Sequence, residues 1–229
     1  ILRDIVYIIE ENIIDRMNCI IAVQSINGNV LTVCDVKWSR IGLILTDSIS
    51  QTYTITAVDY VLNTITITPN GDYTFAGMVI NLNKPYFFTG TPISTNKEWK
   101  SFSIDERNKV PFAWLVEPND EDFKDEQDTL ERESDILIVF LDSNNTSQWR
   151  TMDTHDNRLR ALYNMVEEFM DTIKREFLFY SDNLSFKTKN FTKFGKETSS
   201  GMEANIIDAN LTGVELRLTL PINRVNECC

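Results

Sequence analysis

Few residues of this chain could do chemistry. His155 is the single histidine among 229 residues, and it stands between Asp153 and Asp156, either of which could orient an imidazole acting as a general base. The same stretch leads into a long helical pattern, where Thr154 and Asp156 are ordinary N-cap residues, so capping is the stronger expectation. Asp142 with Glu117 makes a carboxylate pair that could in principle do acid–base work, but any acidic chain offers many such pairs. Asp120, Asp122, Asp125 and Asp128 crowd one segment. They lack the Asp-x-Asp-x-Asp-Gly spacing and the bidentate Glu of a calcium loop. The four cysteines, Cys19, Cys34, Cys228 and Cys229, follow no zinc spacing, and one histidine cannot complete such a site. Reduced thiols are expected. There is no glycine-rich phosphate loop, no Gly-x-Ser-x-Gly elbow and no His-Glu-x-x-His pair. The expectation is a protein without enzymatic activity, cofactor or bound metal, acting through binding and assembly.

Charge sharpens that expectation. The net charge is −12, which opposes general nucleic-acid binding because duplex affinity comes mainly from Lys and Arg neutralising phosphates. Ten acids between Glu117 and Asp135, against Lys124 and Arg132, give this stretch −8 of that total. A solvated loop is one reading of it; a docking surface carrying Asp120, Glu121, Asp122, Asp125 and Glu126 is the other. Lys187, Lys189, Lys193 and Lys196, with Phe186, Phe191 and Phe194 interleaved, form a basic counterpart. In a homo-oligomer the basic segment of one subunit can meet the acidic segment of the next, a heterologous contact that closes into a ring when the rotation allows. Trp38, Trp99 and Trp149 sit in irregular stretches and are candidate interface anchors, since Trp is enriched at binding hot spots. Half-buried core aromatics are the commoner alternative.

The elements that must carry these residues are legible from periodicity. Ile5, Ile8, Ile9 and Ile13 recur at helical spacing in the stretch Leu2 to Arg16, with acids between them. That stretch reads as an amphipathic helix and as neither a signal peptide nor a membrane anchor. From Cys19 to Phe88 short Val, Ile, Thr and Tyr runs alternate between turn residues, and Asn27-Gly28 marks a tight hairpin. Five or six strands with short connections predict a small barrel or sandwich over 19–88, inserted between the N-terminal helix of 1–18 and a main body of 89–229. Phe88-Thr89-Gly90-Thr91-Pro92 reads as the junction between the two. Phe112–Val116 and Asp135–Leu141 are continuous apolar runs, expected as buried strands joined by an acidic loop over 117–135. Leu159, Leu162, Val166, Phe169, Ile173 and Phe177 step along one helix face, and Gly213–Leu220 alternates as a strand with one wet side. The fold class is α+β, a mixed or antiparallel sheet flanked by the N-terminal helix and one long helix, with the small β module inserted.

Taken in order, the N-terminal helix, Phe88–Glu98, Val110-Pro111-Phe112-Ala113-Trp114-Leu115, Phe140-Leu141-Asp142, the 158–177 helix and the final strand resemble neck and tail-completion proteins of tailed phages. The likeness is greatest to those of crAss-like and related Bacteroidetes phages, and the 19–88 module departs from the smaller members of that group. The resemblance implies a virion structural protein of the head–tail junction, assembled in the host cytoplasm as a ring of six or twelve copies. It also implies portal and tail partners, a central conduit that DNA passes without specific binding, no membrane association and no active site. A non-ring adaptor for a fibre or receptor-binding protein is the alternative from a different class.

Overall fold

The computed structural model describes residues 4–72, 74–101, 109–126, 129–145, 148–176, 184–197, 203–207 and 209–222. Asp128, Phe177, Cys228 and Cys229 lie outside the described residues. The chain opens with helix α1 (Ile5–Asn12), capped by the Asp4 carboxylate on the Val6 amide, followed by a 3-10 turn over Ile14–Arg16. Ile5, Ile8 and Ile9 turn inward, so period overrides the weak helix propensity of Ile.

Six strands follow and close on themselves: β1 (Ile20–Asn27), β2 (Val30–Val33), β3 (Ile44–Asp47), β4 (Thr52–Asp59), β5 (Thr64–Pro69) and β6 (Val79–Leu82). Their order around the barrel is β1-β2-β5-β4-β3-β6, every pair antiparallel. Gly28, at φ +58°, makes the β1–β2 hairpin turn that Asn27-Gly28 predicts. Alternate residues such as Leu31, Leu45, Tyr53, Ile55, Ile65 and Ile80 fill the interior, which is packed with side chains. The barrel ends at Leu82, six residues before the boundary expected at Phe88.

The second sheet begins at β7 (Tyr86–Gly90), so the expected junction Phe88-Thr89-Gly90 is itself a strand. Pro92, at the first helical position where its missing N–H costs nothing, then starts α2 (Pro92–Ser101). Strand β8 (Phe112–Val116) returns parallel to β7. The acidic stretch is a β-hairpin rather than a loop: β9 (Asp120–Glu126) pairs with the first half of β10 (Thr129–Ser143), and β8 pairs with the second half. After a helix in two parts come β11 (Phe186–Phe191), the short pair β12 (Gly195–Glu197) and β13 (Glu203–Asn205), and β14 (Leu211–Ile222). The order of the larger sheet is β11-β14-β10-β8-β7, with β9 beside β10.

This sheet is covered on both sides, which explains the continuous apolar runs. Ile136, Ile138 and Phe140 of β10, with Leu216, Leu218 and Leu220 of β14, face the long helix and join its core to that of the barrel. Val139 and Leu141 share a second core on the opposite side with Phe88, Trp99, Phe112, Trp114 and Ile207. Gly213 sits where a Cβ would come within 2.7 Å of Leu141 Cδ2, Phe140 O and Phe191 Cζ, so only glycine admits that packing. The long helix begins earlier than expected, as α3 (Thr151–Thr154), passes through a π-type turn at His155–Leu159 and continues as α4 (Arg160–Arg175). Its first turn is capped by Asp153, whose carboxylate accepts from the Arg150 amide at 2.8 Å, so Thr154 and Asp156 are not the N-caps. Phe169 meets Phe140 edge-on with ring centroids 5.4 Å apart. Among the described residues no helix is long and apolar enough to cross a membrane.

Candidate assembly surfaces and the junction behind them

The connection from β2 to β3 is the wedge between barrel and sheet. Asp35 accepts from the Lys37 amide at 2.8 Å, and Lys37 adopts φ 47°, turning the chain so that Lys37, Trp38, Ser39 and Arg40 are all buried. Trp38 is fully buried here, so it is no surface anchor. Lys37 Nζ donates to Asn18 O at 2.6 Å and pairs with Glu168 of α4 at 3.3 Å. The Asn18 amide and Arg175 also donate to Glu168 Oε1, at 3.0 and 2.6 Å. Burial pushes the Glu168 carboxyl upward, but these donors outweigh it and hold its pKa below the ordinary value of 4.5.

The consequence has a definite sign. A carboxylate with a depressed folded pKa contributes stability above its unfolded pKa and loses it as pH falls through the folded value. Glu168→Gln is therefore expected to lower the melting temperature at pH 7, with the gap to wild type narrowing below about pH 4.5. Paired thermal melts across pH 7 to 3 measure this; a constant gap contradicts it.

A second charged cluster lies deeper. Asp142, on the row of β10 that includes Ile138 and Phe140, ion-pairs with Arg40 of the wedge and lies 3.6 Å from Arg158 of the π-type turn. All three are buried, Asp142 to within 1% of complete. Burial draws the Arg158 pKa down to about 10 although Asp142 opposes the shift, so Arg158 stays cationic at neutral pH. One carboxylate thus faces two guanidinium groups. Backbone carbonyls also accept from the two guanidinium groups: Arg40 donates to Ile41 O and Val110 O, and Arg158 to Ser143 O, Asn157 O and Ile41 O, at 2.9–3.2 Å. The Asp142–Glu117 acid pair considered from the sequence does not form; Asp142 is a structural anion shared by barrel, sheet and helix. Trp149 stacks under Arg158 with its ring centroid 4.7 Å from the guanidinium carbon, half-buried and already engaged within the chain.

Trp99, the remaining candidate anchor, is buried in the second core, with ring centroids 5.2 Å from Phe112 and 6.3 Å from Phe88. His155 lies in the π-type turn, half-buried. Among the described residues no group of three or more His, Cys, Asp or Glu could hold a metal ion. A cleft of about 320 Å³ between barrel and sheet is lined by Leu43, Ile44, Asn83, Lys84, Tyr86, Val110 and Pro111, with no carboxylate, histidine, serine or cysteine among them.

Lys187, Lys189 and the acidic candidates lie on strands at opposite sides of the larger sheet. Lys187 and Lys189 lie on β11, where Phe186 to Asn190 are all exposed, and the strand's outer side pairs with nothing among the described residues. Lys193 is half-buried in the bend that follows, and Lys196 belongs to β12. Asp120, Glu121, Asp122, Asp125 and Glu126 all belong to β9. β9 pairs only with β10 among the described residues, leaving its other edge open. No protein-family model, curated protein or solved structure matches the chain.

Proposed function

We propose that this chain is a structural subunit of the head–tail junction of a tailed phage. It forms a ring by self-association, joins portal to tail and leaves a conduit for DNA. The ordered sequence motifs that resemble neck and tail-completion proteins point to the location. The observation that supports self-association is the pair of opposed edges: an exposed basic strand, β11, on one side of the sheet and an acidic strand, β9, on the other. Different edges in mutual contact make a heterologous interface, the kind that closes into rings. The buried junction supports the same reading, because a subunit under axial load needs barrel and sheet to move as one body.

Imaging of the purified protein at low and high concentration tests the proposal, since assembly through repeated weak contacts obeys mass action. Closed rings that fall apart at high salt are expected, because exposed charge contacts are screened. A chain that stays monomeric throughout overturns the ring and favours an adaptor.

A further inference from the structure

We infer that the ring is held by strand addition: β11 of one copy pairs antiparallel with β9 of the next, continuing the larger sheet across the boundary. The inference rests on the ring reading and names its contact. β11 is antiparallel to β14, β14 to β10 and β10 to β9, so a neighbour in the same orientation presents its β11 antiparallel to β9. Antiparallel is the more stable pairing, and a long exposed edge strand is a liability that folded proteins cover or use.

Register decides the partner. Lys187 and Lys189 pair with Arg217 and Glu215, on the row opposite the one that faces the long helix. Through β14 and β10 that row continues to Thr219, Asp135 and Asp120, and both of these carboxylates are exposed. A continued sheet keeps its faces, so the lysine row of one copy adjoins the acidic row of the next. Two-fold antiparallel pairing of β11 with β11 would instead set lysine beside lysine, and β9 with β9 would bring together two strands that each carry five acids against Lys124 alone. Like charges across a strand pair are destabilising. The edges therefore select a second copy of this chain in head-to-tail arrangement and disfavour a two-fold dimer.

The test combines charge reversal with amide exchange on the full chain. Lys187→Glu with Lys189→Glu is expected to raise the concentration needed for assembly about tenfold or more. Adding Asp120→Lys and Asp122→Lys to that variant should bring it back to near the wild-type value. The melting temperature of each variant, measured as monomer, checks that the fold is kept. Amides of 186–191 and 120–126 should exchange slowly in rings and faster in monomers. Rings insensitive to the reversals, or rings whose 186–191 amides exchange as in the monomer, overturn strand addition and leave the ring reading standing. A chain monomeric under all conditions overturns both.

Discussion

Asp142→Ala is expected to destabilise the protein by about 3–5 kcal/mol, the range found when one partner of a buried ion pair is removed. The size follows from what stays behind. Arg40 and Arg158 are 4% and 8% exposed, so removing the carboxylate leaves two cations buried together with no anion between them. Arg158 cannot escape by losing its proton at neutral pH, since its pKa lies at about 10. The backbone carbonyls that accept their remaining hydrogen bonds offer partial charge and cannot replace a full one. Asp142→Asn keeps the shape, loses the charge and should fall between wild type and alanine. The diagnostic variant replaces all three at once, Asp142→Leu with Arg40→Met and Arg158→Met. Because a buried ionic cluster often repays no more than its desolvation, this triple variant should be less destabilised than Asp142→Ala alone. Urea unfolding of the monomer measures each. A triple variant that adds the losses of three single variants would show that the ions contribute net stability. Barrel, sheet and helix each supply part of the cluster, so its loss should also make their unfolding less cooperative.

None of this cluster was legible in the sequence. Arg40 and Asp142 are about a hundred residues apart, and nothing local marks either as buried. The one available hint was that Asp142 ends a run of seven strand residues that are otherwise apolar, a place where a charge must be paired or exposed. Elements set by their own period were legible: α4 from its apolar stripe, the Asn27-Gly28 hairpin from turn chemistry, and β8, β10 and β14 from their runs. Elements set by tertiary pairing were not. Strand β9 is built from Asp and Glu, which disfavour strands, and it forms because the long β10 offers it a ladder. Helix α2 buries only Thr95 and Trp99, too thin a stripe to show as a period. Strand β3 is four residues long, hidden behind Gly42. Lys187, Lys189 and Asp120 are exposed, as their charge suggests, and Lys193 is half-buried. Trp38 and Trp99 are buried, because an irregular backbone says nothing about burial.

Trp99 makes that last point testable. Its sequence context leaves both an interface anchor and a core aromatic open, and the structure puts its indole inside the second core at 2% exposure, against Phe88 and Phe112 and beneath the Lys109 ammonium, 5.1 Å from the ring centroid. The Lys109 ammonium also donates to Trp99 O at 2.7 Å, tying α2 to the segment that enters β8. Trp99→Ala would open a cavity in the smaller of the two cores. A loss of about 3–5 kcal/mol in monomer stability is expected. Trp99→Phe, which keeps a ring against Phe112, should lose clearly less. A surface anchor would behave in the opposite way, leaving monomer unfolding unchanged while weakening assembly by about 2 kcal/mol or more. Unfolding of the dilute monomer and the concentration dependence of assembly, measured on the same two variants, separate these outcomes. If Trp99→Ala acts through the core, any assembly defect it shows should vanish at temperatures where the variant is fully folded, because the buried indole offers no surface to a neighbouring copy.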